Sequence, residues 1–236
     1  MRKAVLTLAF LLSVVMVLLY SIHSGDGAAG RGKSEQNYRM KSLLGENSSV
    51  SYQAGTPYKI VIDPGHGGKD HGATGASGKF EKDFTLQVAR KVEELAKQEQ
   101  LIEVYLTRSD DRFMSSVDRE RPEIANQLGA DLFISIHGNT YEDPGVSGTE
   151  TYYYYEDSQF LAEIMQKHVV QTSGFRDRGV KKEDFFVLKD TNMPAALIEM
   201  GYLTNPQEEN EMLTEDFQYR VASSILDGMI EALNLK

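Results

Sequence analysis

The sequence contains no cysteine among its 236 residues. This absence excludes a disulfide scaffold, a thiol nucleophile, a zinc site with cysteine ligands and a lipidated N-terminal cysteine. It is compatible with an exported protein whose folding does not depend on disulfides. Hydrolytic chemistry in this chain would therefore have to use hydroxyl, carboxylate or imidazole groups, or a metal ion.

Positive charge is also scarce, because 25 Lys and Arg residues stand against 35 Asp and Glu residues, for a net charge of −10. Proteins that bind nucleic acids need clustered basic side chains to face the phosphates, so we expect no nucleic-acid partner. The sequence also lacks a Gly-x-Ser-x-Gly turn, which disfavours a Ser-His-Asp hydrolase. Internal repeats are absent as well.

The long apolar run of the chain lies at its N-terminus, within residues 1–23. No charged residue occurs between Ala4 and Ile22, and the run is long enough to cross a bilayer as a helix. Arg2 and Lys3 favour a cytoplasmic N-terminus. A signal peptide is the alternative, because Gly27-Ala28-Ala29 offers small residues to a signal peptidase. We expect an uncleaved membrane anchor, and under both interpretations the rest of the chain is extracytoplasmic.

Residues 24–57 are rich in Gly, Ser, Asn, Gln and charge, which predicts a flexible extracytoplasmic linker. The folded domain is predicted to be 58–236. Short apolar runs alternate there with amphipathic helical patterns, and Pro122 should delay the start of the second helix. The alternation predicts an α/β three-layer sandwich, with a twisted, mostly parallel central sheet of about six strands flanked by helices. The predicted strands are 59–62, 102–107, 132–136, 148–155, 185–188 and 195–200, and the predicted helices are 80–100, 116–128, 158–172, 206–213 and 216–233.

Two histidines follow apolar strand patterns in the same way. His66 comes just after the first strand, and His137 comes directly after the third. In open α/β sheets, ligands bind beyond the carboxyl ends of the strands. Glu81 lies at the start of the first predicted helix. Two imidazoles and one carboxylate would form a catalytic zinc set, which leaves the fourth coordination position for water.

A second carboxylate, Glu199, lies inside the apolar strand pattern Leu197–Gly201. A buried charge is costly without a partner, and a position beside a metal site would supply one. Such a carboxylate could serve as the base that takes a proton from the attacking water. Spacing alone leaves other interpretations open. Glu81 could be a first-turn glutamate favoured by the helix dipole, His137 a core histidine bonded to backbone, and Glu199 an outward-facing residue of an edge strand.

The domain closely resembles the zinc-dependent N-acetylmuramoyl-L-alanine amidases, in the family called amidase 3, which includes bacterial autolysins and other cell-wall hydrolases. The resemblance extends in order from Tyr58 to the C-terminus. Six stretches together make it specific, although any one alone would be weak. They are Ile62-Asp63-Pro64-Gly65-His66-Gly67-Gly68, Phe80-Glu81-Lys82-Asp83, Leu106-Thr107-Arg108, Ser135-Ile136-His137-Gly138-Asn139, Gly148-Thr149-Glu150-Thr151-Tyr152 and Leu197-Ile198-Glu199-Met200-Gly201-Tyr202-Leu203-Thr204-Asn205.

The resemblance implies that His66, Glu81 and His137 bind zinc and that Glu199 is the catalytic carboxylate. The substrate would be peptidoglycan, cut at the amide between the lactyl group of N-acetylmuramic acid and L-alanine. Asn139, Arg121 and Arg178 are candidate substrate contacts, and for the two arginines a structural role remains equally open. We expect a monomer, and the sequence does not indicate an activating partner.

Two rival functions follow from the same features. The first is a non-catalytic peptidoglycan-binding module on a membrane tether. Degenerate domains of that kind lose a metal ligand or the catalytic carboxylate, whereas all four residues are present here. The second is a zinc peptidase or deacetylase that acts on another bond of the cell wall.

Overall fold

The structure is a computed structural model that describes residues 56–235. The predicted anchor or signal helix at 1–23, and nearly all of the predicted linker at 24–57, lie outside the described residues. No helix within the described part of the chain is long and apolar enough to cross a membrane. The elements follow in the order β1 (Tyr58–Pro64), α1 (Glu81–Ala96), β2 (Ile102–Leu106), α2 (Glu120–Leu128), β3 (Leu132–Asn139), β4 (Thr149–Tyr153), a 3-10 turn (Glu156–Ser158), α3 (Gln159–Ser173), β5 (Asp177–Lys182), α4 (Phe186–Lys189), β6 (Ala195–Tyr202), α5 (Pro206–Met212) and α6 (Glu215–Ala232).

The strands form one sheet in the order β2-β1-β3-β6-β4-β5. All neighbouring pairs are parallel except β4 and β6, which are antiparallel. Strands β1, β3 and β6 lie in the middle and are almost wholly buried, which accounts for their continuous apolar sequences. The prediction of a mostly parallel sheet of about six strands is confirmed.

Helices cover both faces of the sheet, as predicted. Ile60 and Ile62 point to the face packed by α1, α3 and α6, which holds the larger hydrophobic cluster. Val61 points to the opposite face, where the short helices α2 and α4 contribute a smaller cluster. Because side chains alternate along a strand, this second face continues through Asp63 towards the carboxyl end of β1. The polar end of this thinly covered face is where the candidate site lies.

One predicted element is wrong. The segment predicted as a strand at 185–188 contains the single-turn helix α4, and the fifth strand is Asp177–Lys182 instead. A four-residue apolar run fits one helical turn as well as a short strand, so periodicity could not distinguish them. Strand β5 was not predicted because it is a polar edge strand, paired only with β4, and so lacks an apolar strand pattern.

The second helix starts at Glu120, later than the predicted position 116. Pro122 lies in the first turn, where backbone N–H groups have no partner within the helix, so its missing N–H costs no helical bond. The predicted delay caused by this proline is confirmed. The helix ends at Gly129, which has the left-handed conformation (φ 64°) that suits glycine.

Candidate functional site

Three neighbouring strands bring the predicted residues to one place. Residues Asp63 of β1 and Ser135 of β3 are paired in register, and two residues further along β3 His137 is paired with Glu199 of β6. Register partners on adjacent strands point to the same face of a sheet. His137 and Glu199 therefore lie side by side on the thinly covered face, near its carboxyl end.

His66, Glu81 and His137 form a compact cluster whose candidate ligand atoms all lie within 4.8 Å of one another. The Nε2 atom of His66 is 3.1 Å from Oε2 of Glu81, and Nδ1 of His137 is 2.9 Å from Oε1 of the same carboxylate. Two imidazole nitrogens and a carboxylate oxygen are the protein ligands of many catalytic zinc sites. The structure thus brings together the three residues that the sequence suggested as ligands.

The loop after β1 holds His66 in an unusual backbone conformation. His66 has φ 61°, and Gly67 and Gly68 after it also have positive φ. Positive φ is uncommon for a residue with a side chain and needs support from its surroundings. Arg121 provides that support, because its Nη2 donates to the carbonyl oxygen of His66 at 2.6 Å.

Asp70 orients the imidazole of His66. Its Oδ1 lies 2.9 Å from Nδ1 of His66 and also accepts from the backbone N–H of Gly72. A carboxylate on the second nitrogen is the usual partner of a metal-binding histidine, because it fixes the tautomer and the ring orientation. Nε2 is then left to face Glu81. Sequence reasoning missed Asp70, and a carboxylate four residues after the histidine in a glycine-rich loop was the available signal.

The Glu81 carboxylate is buried and held from several sides. Oε2 accepts from the backbone N–H of Ala73, and Oε1 accepts from that of Gly138. Burial would raise the pKa of Glu81, but the hydrogen bonds and charges of His137 and His66 outweigh it and hold the pKa well below its usual range. Burial would likewise lower the pKa of His66, yet Glu81 and Asp70 raise it. The cluster therefore contains a fixed anion that favours a cation between the imidazoles.

Two glycines leave no room for side chains beside these ligands. A Cβ on Gly65 would lie 2.4 Å from Cε1 of the His137 ring. A Cβ on Gly72 would lie 2.5 Å from Oε2 of Glu81 and 2.6 Å from Cδ2 of His66. The backbone thus packs directly against all three donors and fixes their positions. The donor set of two imidazole nitrogens and one carboxylate oxygen suits zinc.

Glu199 has an unsatisfied carboxyl oxygen. Within residues 56–235, its Oε2 is the only buried side-chain nitrogen or oxygen atom without a hydrogen-bond partner. Burial raises the pKa of Glu199 well above its usual range, and the negative charges of Glu81 and Glu150 add to the effect. Burying a hydrogen-bond acceptor without a partner costs free energy. The position of this oxygen beside the candidate metal cluster therefore fits a role in binding a ligand or transferring a proton.

Glu150 is a second buried carboxylate on this face of the sheet, and the sequence analysis gave it no role. It is paired in register with Glu199 across β4 and β6. Its Oε1 accepts from Asn139 and from the Tyr202 hydroxyl, and its Oε2 accepts from Arg178 and Lys181. The sequence signal for Glu150 was a carboxylate within a tyrosine-rich strand. The cost of burying such a charge, which identified Glu199, applies to Glu150 as well.

The three candidate substrate contacts occupy different surroundings. Arg121 is buried, and its Nη1 donates to Asp63 at 2.6 Å and to the Pro64 carbonyl at 2.8 Å. Asn139 and Arg178 both contact Glu150, and the Arg178 side chain is 27% exposed. Arg121 is thus bound to the loop that holds His66, whereas the other two lie beside Glu199.

A sequence model of the amidase 3 family, described as N-acetylmuramoyl-L-alanine amidase, matches residues 60–231. The protein YqiI of Bacillus subtilis is 41% identical over 174 residues, which cover 72% of this chain and 82% of that protein. The chain spans less of some other relatives, with 66% of the endolysin of Bacillus phage SPP1 and 39% of LytC of Bacillus subtilis.

Solved structures of amidases share this fold. The catalytic domain of CwlV from Bacillus (Paenibacillus) polymyxa var. colistinus has a TM-score of 0.74 at 45% identity and covers 76% of this chain and 99% of its own. CwlD of Clostridioides difficile, solved in complex with the GerS lipoprotein, has a TM-score of 0.69 at 31% identity and covers 76% and 100%. Sequence and fold agree, and the chain belongs to the N-acetylmuramoyl-L-alanine amidases of the amidase 3 family, which are peptidoglycan hydrolases.

Proposed function

We propose that this amidase cleaves the amide bond between N-acetylmuramic acid and L-alanine of the stem peptide, with Glu199 as general base and with zinc held by His66, Glu81 and His137. One observation supports this proposal above all others. The unsatisfied carboxyl oxygen of Glu199 lies on the same face and in register with His137, a member of the three-residue ligand cluster.

Each protein group has a distinct task in this mechanism. When bound, zinc supplies a Lewis acid that polarises the scissile carbonyl and lowers the pKa of water at the site. Glu199 takes a proton from the attacking water and returns it to the leaving L-alanine nitrogen. Burial raises the pKa of Glu199, which makes its carboxylate a stronger proton acceptor.

Other groups hold these residues in place. Asp70 fixes the His66 tautomer, and the backbone N–H groups of Ala73 and Gly138 fix Glu81. We assign Arg121 to this supporting set, because its guanidinium is buried and bonded to Asp63 and to the loop carbonyls on either side of Gly65. Asn139 and Arg178 both contact Glu150, the register partner of Glu199, and remain candidate contacts for the substrate.

The location of the enzyme follows from its substrate. Peptidoglycan lies outside the cytoplasmic membrane, so the domain acts there. An anchor at 1–23 followed by a flexible linker at 24–57 would hold the domain close to the wall, and the uncharged run from Ala4 to Ile22 supports such an anchor. Comparing the mass of the mature chain in membrane and culture fractions would decide between an anchor and a cleaved signal.

The proposed reaction can be tested by mass spectrometry of muropeptides after digestion with the purified protein. An amidase releases stem peptides with a free L-alanine amine and leaves glycan strands without peptide. The same digestion after zinc chelation should release none, and added zinc should restore the release. Cleavage within the peptide, or loss of acetyl groups from the sugars, would instead show a peptidase or a deacetylase. Binding of peptidoglycan without any cleavage would show a non-catalytic module.

A further inference from the structure

Two basic side chains contact the Glu150 carboxylate. Arg178 and Lys181, named here the cation pair, both donate to Oε2 of this one carboxylate. Burial would raise the pKa of Glu150, but the donors around it lower it, so the carboxylate is charged. Two cations therefore share a single oxygen of one carboxylate.

Glu208, a further carboxylate near Arg178, does not occupy the donors of the cation pair. Glu208 is buried, and its two oxygens accept from the backbone N–H groups of Gly148 and Tyr202. Arg178 influences the pKa of Glu208 through its charge but makes no hydrogen bond with it. The cation pair therefore has donor capacity left, because an ammonium has three N–H donors and a guanidinium has five.

Both cations are within reach of a ligand. The side chain of Lys181 is 39% exposed and that of Arg178 is 27% exposed, whereas that of Glu150 is 3% exposed. Aromatic rings flank them, with Arg178 5.2 Å from the Tyr202 ring and Lys181 5.7 Å from the Tyr152 ring. The buried carboxylate and the rings hold the two positive ends at the surface of the site.

The cation pair extends the row that contains the reacting groups. In sheet order the row runs from His137 on β3, through Glu199 on β6 and Glu150 on β4, to the cations of β5. Adjacent strands are about 4.8 Å apart, so β5 lies three strand spacings, about 14 Å, from β3, and the cations that contact Glu150 lie about two spacings, roughly 10 Å, from the ligand cluster. Three extended peptide residues span about 10 Å, which is a similar distance.

We propose that Lys181, together with Arg178, is a specificity-determining subsite that binds a free carboxylate of the stem peptide, about three residues beyond the scissile amide. This inference rests on the proposed amidase function. The peptide side is favoured over the glycan side because the N-acetylmuramoyl group at the scissile bond is uncharged once its lactyl carboxyl is in amide linkage, whereas stem peptides carry carboxylates. Glu150 is a positioning residue in this arrangement, since it orients the cations without contacting the substrate.

The test compares two matched disaccharide-peptide substrates that differ at one group, a carboxylate of the third stem residue that is either free or converted to its amide. The wild-type protein should show a kcat/KM about tenfold higher for the free acid, as expected for one charge-assisted hydrogen bond. Lys181→Met should bring the ratio of the two values close to one, mainly through a higher KM for the acid. Lys181→Arg should retain part of the preference.

Lys182→Met is the matched control. Lys182 is adjacent on β5 and has the same charge, but it points to the opposite face and pairs with Glu156. This variant should keep the wild-type preference, which would separate a specific contact from a general loss of positive charge.

Each outcome bears on the proposal. Equal cleavage of both substrates by the wild-type protein would overturn the subsite while leaving the amidase function intact. A preference that survives Lys181→Met, or that Lys182→Met removes equally, would overturn the assignment to Lys181. Failure of the wild-type protein to cleave either substrate would overturn the amidase function and this inference with it.

Discussion

His137 and Glu199 are register partners on the parallel strands β3 and β6. The pairing places a candidate metal ligand and the candidate base next to each other on one face of the most buried part of the sheet. Immediately after this pair the register shifts, so that Asn139 is opposite Tyr202. The shift marks the point where the strands leave the regular sheet and the loops around the site begin. The relative position of His137 and Glu199 is therefore set by strand pairing, which is more rigid than a loop.

Replacing Glu199 by Gln should remove activity and spare the metal. The substitution preserves size but abolishes proton transfer, so we expect kcat to fall by about 10²- to 10⁴-fold. Zinc content should stay near that of the wild type, because the ligand cluster consists of His66, Glu81 and His137. Elemental analysis and muropeptide release measure the two quantities on the same preparation. Loss of zinc in Glu199→Gln would contradict the separation of roles, and His137→Ala, which should lose zinc, is the reference.

Replacing Asp70 by Asn should weaken zinc binding without unfolding the protein. The carboxylate that orients His66 would become a neutral amide, and losses of such partners typically lower metal affinity by about 10- to 100-fold. Competition with a chelator measures the affinity. Asp83→Asn is the control, because Asp83 is an exposed carboxylate in the first turn of α1. Equal affinity in the two variants would show that Asp70 does not act on the metal site.

Much of this geometry was accessible from the sequence. His66 and His137 each follow an apolar β-branched run, and parallel strands end at a common edge, so their proximity was predictable from pattern alone. Glu199 could be identified because burying a carboxylate in an apolar strand costs free energy unless the charge has a partner. The central strands β1, β3 and β6 were recognisable because strands that are buried on both faces have continuous apolar sequences.

The remainder depended on contacts between distant parts of the chain. Asp70 lies in a loop without periodicity, and only the folded structure shows its oxygen on Nδ1 of His66. The role of Glu150 depends on β4 running antiparallel to β6 and on β5 being the next strand, neither of which local sequence determines. Edge strand β5 is polar, so its pattern resembled a loop.

Replacing Gly65 by Ala should displace His137 and lower zinc affinity. The new Cβ would lie 2.4 to 2.7 Å from three atoms of the imidazole ring, too close for any packing without movement of the ring. Gly129→Ala is the control, because Gly129 has φ 64° with no atom within 4 Å of the added Cβ. That variant should cost about 1–2 kcal/mol of stability through backbone strain and still bind zinc normally. Normal zinc affinity in Gly65→Ala would show that the His137 ring can move without weakening zinc binding.

Replacing Asp63 by Asn should destabilise the protein and alter its response to acid. Asp63 is fully buried and accepts from Arg121, Thr107 and Ser135. Burial would raise its pKa, but the charge of Arg121 and these hydrogen bonds hold the pKa below the ordinary value of 3.8. Because the folded pKa is the lower one, the ionised group adds stability above about pH 4 that is lost as the pH falls through the folded pKa.

In Asp63→Asn the Arg121 guanidinium loses its buried counter-charge, so the free energy of unfolding should fall by about 3–5 kcal/mol at neutral pH. The wild-type protein should lose stability more steeply than the variant below pH 4, and denaturant titrations at several pH values measure this difference. Asp216→Asn, which removes an exposed carboxylate paired with Arg220, should leave both the neutral-pH stability and the acid response close to those of the wild type. An acid response in Asp63→Asn as steep as that of the wild type would mean that carboxylates other than Asp63 set the acid limit of the fold.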